Sequence, residues 1–192
     1  MRRISRGCGS EAGGNSLWFV VCSLESTMEK WTILESKYLH QKEWLTIRED
    51  KCRMDNGTVI PAFYVNEYPD WVNAFALTKE GKVLLVRQYR HGIDSIETEL
   101  PGGVSEKGES MEAACRREVE EETGYTFESW KCLGKVSANA STTNNFTHFF
   151  LATGGSRTSE QKLDESEELE VLELSIDEVK AMVRENRMMQ SL

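Results

Sequence analysis

The chain has 192 residues, enough for one domain with a sizeable core and a small appendage. Its 32 aspartates and glutamates outnumber 23 lysines and arginines, and the formal charge of −9 argues against non-specific binding to nucleic acid or to an anionic membrane. The five cysteines (8, 22, 52, 115 and 132) are scattered, odd in number and without metal-ligand spacing, so they read as reduced thiols of a cytoplasmic protein.

Residues 1–27 form a segment apart. MRRISRGCGSEAGGNS is small, polar and glycine-rich, and LWFVVCSL supplies an apolar run too short to span a bilayer. Arg2, Arg3 and Arg6 precede that run, but no clean small-x-small cleavage site follows it. The segment reads as a disordered extension, or as the product of a start assigned too early, with Met28 the working start.

From Trp31 the pattern becomes globular. WTILESKYLHQKEWLTIREDKCRM alternates polar and apolar residues, and Asp55-Asn56-Gly57 is a hairpin turn signal. VIPAFYVNEY and WVNAFALT continue as strands, which makes residues 28–75 an N-terminal antiparallel β extension and 76–192 the main domain. Lys79-Glu80-Gly81 marks a further turn before the apolar strand KVLLVRQYR, and SIETELPGG follows. Later, SWKCLGKVSA, THFFLAT and LEVLELS read as strands. SIDEVKAMVRENRM reads as a closing amphipathic helix with Ser175 as its cap. This order predicts an α/β fold in which a mixed sheet lies between helices.

The stretch from Gly103 to Tyr125, GVSEKGESMEAACRREVEEETGY, carries the chemistry. Its second half is a predicted helix, capped by Ser110 and stopped by Gly124. At 100° per residue Met111, Ala114 and Cys115 share one side, which should face the core. Glu118, Glu121 and Glu122 continue that same stripe, whereas Glu120 points elsewhere. Three carboxylates thus stand where apolar residues are expected. Like charges drawn out of water repel and lose hydration, and a hard divalent cation such as Mg²⁺ or Mn²⁺ compensates best.

Gly103, Glu109, Arg117, Glu118, Val119, Glu121, Glu122, Gly124 and Tyr125 match the pattern G-x5-E-x7-R-E-U-x-E-E-x-G-U, with U a bulky apolar residue, at every position. The stretch therefore resembles the Nudix box. VRQYR, ELPGG and EETGY resemble its ADP-ribose pyrophosphatase, or nucleoside diphosphate sugar hydrolase, branch. The resemblance implies a Nudix α/β/α sandwich and metal-dependent hydrolysis of a nucleoside diphosphate sugar, with ADP-ribose giving AMP and ribose 5-phosphate. It also implies a homodimer, paired through N-terminal strands whose aromatics, Trp71 with Trp44 and Tyr64, stack the base.

Residue by residue, the same resemblance makes Glu118 and Glu122 metal ligands, with Glu121 and the Gly102 carbonyl beside them. Glu109 and Arg117 become an ion pair anchoring loop to helix. In the acidic run 163–174, Glu165 and Glu167 match glutamates that bind metal or act as base, with a slip to Glu168 open. Arg87 and Arg90 fall on phosphate, and Glu99 on the ribose side or a metal.

One departure concerns the substrate. The branch carries a proline after the box, where ANASTTNN at 138–145 has Ala140, so the sugar or base contacts differ. Other readings stay open: a non-cleaving nucleotide-sugar regulator, an interaction module with structural carboxylates, or a Nudix enzyme acting on a nucleoside triphosphate or dinucleoside polyphosphate. His40, His91 and His148 stand alone, and no Ser/His/Asp or Cys/His arrangement can be assembled.

Overall fold

A computed structural model describes residues 29–42, 44–165 and 167–189. The expectations for residues 1–27 and for Met28 lie outside the described residues. The N-terminal strands β1 (Thr32–Lys42), β2 (Leu45–Arg53) and β3 (Val59–Glu67) form an antiparallel sheet in that order. The Asp55-Asn56-Gly57 turn closes as expected: Gly57 adopts φ +84°, and Met54 N–H reaches the Thr58 carbonyl at 2.8 Å.

The larger sheet has eight strands: β4 (Trp71–Thr78), β5 (Val83–Arg90), β6 (Ser95–Glu99), β7 (Gly102–Val104), β8 (Tyr125–Thr126), β9 (Ser129–Val136), β10 (Thr147–Arg157) and β11 (Glu170–Leu174). The path β11-β5-β4-β10-β8 carries β6 on β5, β7 on β4 and β9 on β10. Among the described residues only β4 and β10 run parallel, so the sheet is mixed. The break between the two sheets falls between Glu67 and Trp71, not at 75/76, because Trp71–Thr78 pairs wholly within the larger sheet.

Strand alternation builds two cores, one on each face. Val72, Ala74, Ala76, Leu84, Phe150 and Ala152 pack against Ala114, Cys115 and Val119 of α1 (Met111–Thr123). Val83 and Leu85, with Phe75 and Leu77, meet Val179 and Met182 of α2 (Ile176–Arg184). The sheet thus lies between two helices, as the element order predicts. Leu84 and Leu85 are fully buried on opposite faces, and truncating either to Ala costs about 2–5 kcal/mol.

Both helices start and stop where their termini are satisfied. Ser110 Oγ accepts the Ala113 N–H at 3.2 Å, and Gly124, at φ +74°, returns its N–H to the Glu120 carbonyl at 2.8 Å. Ser175 and Glu178 form a reciprocal capping box on α2. The buried line of α1 runs through Ala114, Cys115, Val119, Glu122 and Thr123. Of the three glutamates expected on that stripe, only Glu122 is buried; Glu118 and Glu121 are turned partly to solvent.

Candidate active site

Strand β7 lays the start of the box against the first residues of β4, with Val72 opposite Gly103 and Asn73 opposite Gly102. The side chains of α1 then bond to β7 from the other side. Glu122 Oε2 accepts the Gly102 N–H at 2.8 Å, and Glu118 Oε1 accepts the Val104 N–H at 3.2 Å. Neither glycine tolerates a side chain. A Cβ on Gly102 would overlap the Val72 carbonyl oxygen, and one on Gly103 would overlap the Glu118 carboxylate.

Arg117 knits this floor together. Its Nη2 donates to the Val104 carbonyl at 3.0 Å and to Glu109 at 3.2 Å, while Nη1 donates to Glu118 at 3.0 Å and Glu121 at 3.1 Å. Burial opposes its charge, but the bonds to Glu109, Glu118 and Glu121 outweigh burial and hold its pKa above the ordinary arginine range. Glu122, 5% exposed, is pushed well above the usual carboxylate range, chiefly by burial. The charges of Glu118, Glu167 and Glu99 push the same way, and only the Gly102 N–H opposes them. Burial also raises Glu118, against the pull of Arg117.

These groups form one wall of a cleft of about 610 Å³. Trp71, Asn73, Gln88, Arg90 and Glu99 line it from the sheet, Trp44 from the β1–β2 turn, and Lys162, Asp164 and Glu167 from the loop before β11. Glu99, 2% exposed, accepts Arg90 Nε at 2.9 Å; its other oxygen is buried without a hydrogen-bond partner among the described residues. Trp71 leans on Tyr68, ring centres 5.8 Å apart.

Some expected residues do not join this assembly. Arg87 lies outside the cleft, because alternation along β5 puts it on the α2 face with Val83 and Leu85. There it pairs with Glu170 of β11 at 3.1 Å. Glu165 and Glu168 are exposed and do not line the cleft, nor does Tyr64. Asn73, Gln88, Lys162 and Asp164 were not foreseen. Asn73 had a signal: it is a buried amide interrupting the apolar strand WVNAFALT.

Among the described residues no three His, Cys, Asp or Glu side chains stand in a ready metal cage. Arg117 and two backbone N–H groups engage the glutamates instead. The donor set nonetheless fits a hard divalent cation: three carboxylates sit beside a double-glycine backbone that lacks the Cβ atoms the space cannot hold. A cation would also relieve the buried charge at Glu122.

Residues 67–191 match the NUDIX domain, and residues 31–66 match the nucleoside diphosphate sugar hydrolase N-terminal domain. The chain belongs to the Nudix family. Its sandwich is accordingly the Nudix fold, and Glu109, Glu118, Glu121 and Glu122 stand at the glutamate positions of the Nudix box. A methanol dehydrogenase activator from Bacillus methanolicus is 32% identical over 76% of this chain and 78% of the relative. An ADP-ribose pyrophosphatase from Bacillus subtilis (strain 168) is 35% identical over 61% of this chain and 64% of its own. An ADP-sugar pyrophosphatase from Mus musculus is 38% identical over 48% of this chain and 44% of the mouse protein. The crystal structure of an ADP compounds hydrolase shares the Nudix fold at TM-score 0.72 and 22% identity, covering 83% of this chain and 85% of that one.

Proposed function

We propose that this Nudix chain is a divalent-metal-dependent hydrolase that splits the pyrophosphate of a nucleoside diphosphate sugar. The observation that carries the reading is the gathering of Glu118, Glu121 and Glu122 with Gly102 in one cleft, facing Arg90, Trp71 and Glu167. Glu118, Glu121, Glu122 and the Gly102 carbonyl would hold Mg²⁺ or Mn²⁺, which when bound neutralises phosphate charge and acidifies a water. Arg90 donates its planar fork to the diphosphate oxygens, kept in place by Glu99. Glu167 takes the proton from the water that attacks phosphorus, and the bridging P–O bond breaks. Trp71, and Trp44 at 73% exposure, offer the nucleobase two aromatic faces. With ADP-ribose the products are AMP and ribose 5-phosphate. Glu109 and Arg117 act structurally, and Gly103 and Gly124 by their bareness.

The protein is further proposed to be a cytoplasmic homodimer that takes neither nucleic acid nor membrane as partner. The described residues include no helix long and apolar enough to cross a membrane. Burial, with the charges of Glu118 and Glu122, pushes the Cys115 thiol up to about 12, which suits a reduced, unreactive cysteine. β1 is exposed along its length and includes Ile33, Leu34, Tyr38 and Leu39, apolar side chains that a second copy could cover.

The test is product release from ADP-ribose, ADP-glucose, GDP-mannose and a nucleoside triphosphate, with and without Mg²⁺. Mg²⁺-dependent cleavage of a diphosphate sugar is expected, and preferred cleavage of the triphosphate would overturn the substrate class. The relative named as an activator favours a second reading, a regulator that binds a nucleotide sugar and acts on a partner enzyme. Tight binding without turnover across the panel would favour it.

A further inference from the structure

The loop between β10 and β11 is bonded to the same helical turn that displays Glu121 and Glu122. Helix C-termini leave carbonyls without intrahelical partners. Here the loop supplies them: Lys162 N–H donates to the Glu121 carbonyl at 2.8 Å, and Thr158 and Ser159 N–H donate to Gly124 at 2.9 and 3.1 Å. Gly124 is bare where the loop crosses, since a Cβ there would overlap the Ser159 carbonyl oxygen.

Gln161 makes a connection that no other described side chain in the loop makes. Its Nε2 donates to the Glu122 carbonyl at 2.8 Å and reaches the Leu169 carbonyl at 3.4 Å, spanning from α1 to the entry of β11. Between those anchors Glu167 closes a tight turn. Its N–H donates to the Asp164 carbonyl at 2.9 Å, and its carboxylate accepts the Asp164 N–H at 3.2 Å. The turn carries Glu167 into the cleft, while Glu165 and Glu168 stay outside. An amide has two donors on one nitrogen, which is what two facing carbonyls require. A glutamate would aim charge at both oxygens, and an apolar side chain would leave both unbonded.

We propose that Gln161 is a positioning residue for hydrolysis, acting by holding Glu167 in register with the Glu121–Glu122 turn of α1. The inference rests on the reading of Glu167 as the base. Gln161→Met keeps length and packing but removes both donors, and Gln161→Asn is too short to span both carbonyls. In single-turnover and steady-state assays on ADP-ribose with Mg²⁺, Gln161→Met is expected to lower kcat about tenfold with KM within about twofold. In a Glu167→Gln background the same change is expected to cost less than about twofold, because the residue it acts through no longer works. Equal losses in both backgrounds overturn the proposal, as does a change confined to KM. Should Gln161→Met not fold, Gln161→Asn replaces it in both backgrounds, with the same losses expected and the same results overturning the proposal. Wild-type inactivity on every diphosphate sugar would instead overturn the hydrolase reading and this inference with it, an outcome distinct from additive losses in an active enzyme.

Discussion

The Glu122 carboxylate accepts the Gly102 N–H at 2.8 Å, so the most buried glutamate of α1 is bonded to the backbone whose carbonyl is its proposed co-ligand. With the Glu118 and Arg117 bonds to Val104, this hydrogen bond sets the distance between α1 and β7. It does not neutralise the charge, and burial holds the Glu122 pKa well above the usual carboxylate value.

That shift has a sign. A carboxyl whose pKa is raised on folding binds its proton better in the folded state. Its favourable contribution is complete below the unfolded pKa and is lost as pH rises through the folded one. At neutral pH and without metal, Glu122 therefore weakens the fold. Glu122→Gln keeps an oxygen for the Gly102 N–H and removes the charge. The metal-free variant should melt higher than wild type, at about 2–4 °C per kcal/mol for a domain this size, and the gain should be larger at pH 8 than at pH 5. Hydrolysis should fall about a hundredfold or more. Near-normal turnover at saturating Mg²⁺ would remove Glu122 from the ligand set; an equal thermal gain at both pH values would remove the charge argument.

Gly103 and Gly108 make a paired test of the box loop. An added methyl on Gly103 meets the Glu118 carboxylate, which cannot give way without leaving the Val104 N–H and Arg117. Gly108 has open space around it but sits at φ +89°. Gly103→Ala should cost about ten- to a hundredfold in kcat/KM by displacing Glu118, a proposed metal ligand. Gly108→Ala should cost only about 1 kcal/mol of stability from its backbone and leave kinetics alone. Measured together, the two separate crowding at the site from loop strain; equal kinetic losses would contradict the assignment.

The arginines of VRQYR should part company. Arg90 lines the cleft and pairs with buried Glu99, so Arg90→Ala should raise KM about tenfold and destabilise by about 1–3 kcal/mol, the Glu99 charge being left without its partner. Arg87, 43% exposed, pairs with Glu170 across a strand edge. Its loss should cost about 0–1 kcal/mol and no affinity. A raised KM in Arg87→Ala, measured on ADP-ribose, would put that residue back at the phosphate.

Those arginines also show what the sequence could carry. The helix and its glutamates were legible because caps, period and acidic spacing are local, and each is set by neighbours three or four residues away. The alternation of Arg87, Gln88 and Arg90 was equally visible. Which of the two faces meets the cleft was not, since that depends on α1 covering the Leu84 side of β5 and α2 the Leu85 side. Trp44 reaches the cleft from the β1–β2 turn, far from the box in sequence, a placement no local pattern records. The acidic run before β11 has no period, and its register comes from backbone bonds to α1.

That register separates two neighbouring glutamates of the loop. Glu165 and Glu167 are two residues apart in a run where composition cannot choose between them. Both are exposed, but Glu167 lines the cleft and is close enough to Glu122 for its charge to raise the Glu122 pKa, whereas Glu165 stays outside it. Glu167→Gln preserves an acceptor for the Asp164 N–H, so the turn survives while the proposed base is lost. Its kcat should fall by about 10²–10⁴ with KM little changed. Glu165→Gln should stay within about twofold of wild type, since it loses only a solvated charge. The reverse order of effects would mean that the loop shifts by one turn when substrate and metal enter, and the bonds from Gln161 and Lys162 to α1 would have to break for that to happen.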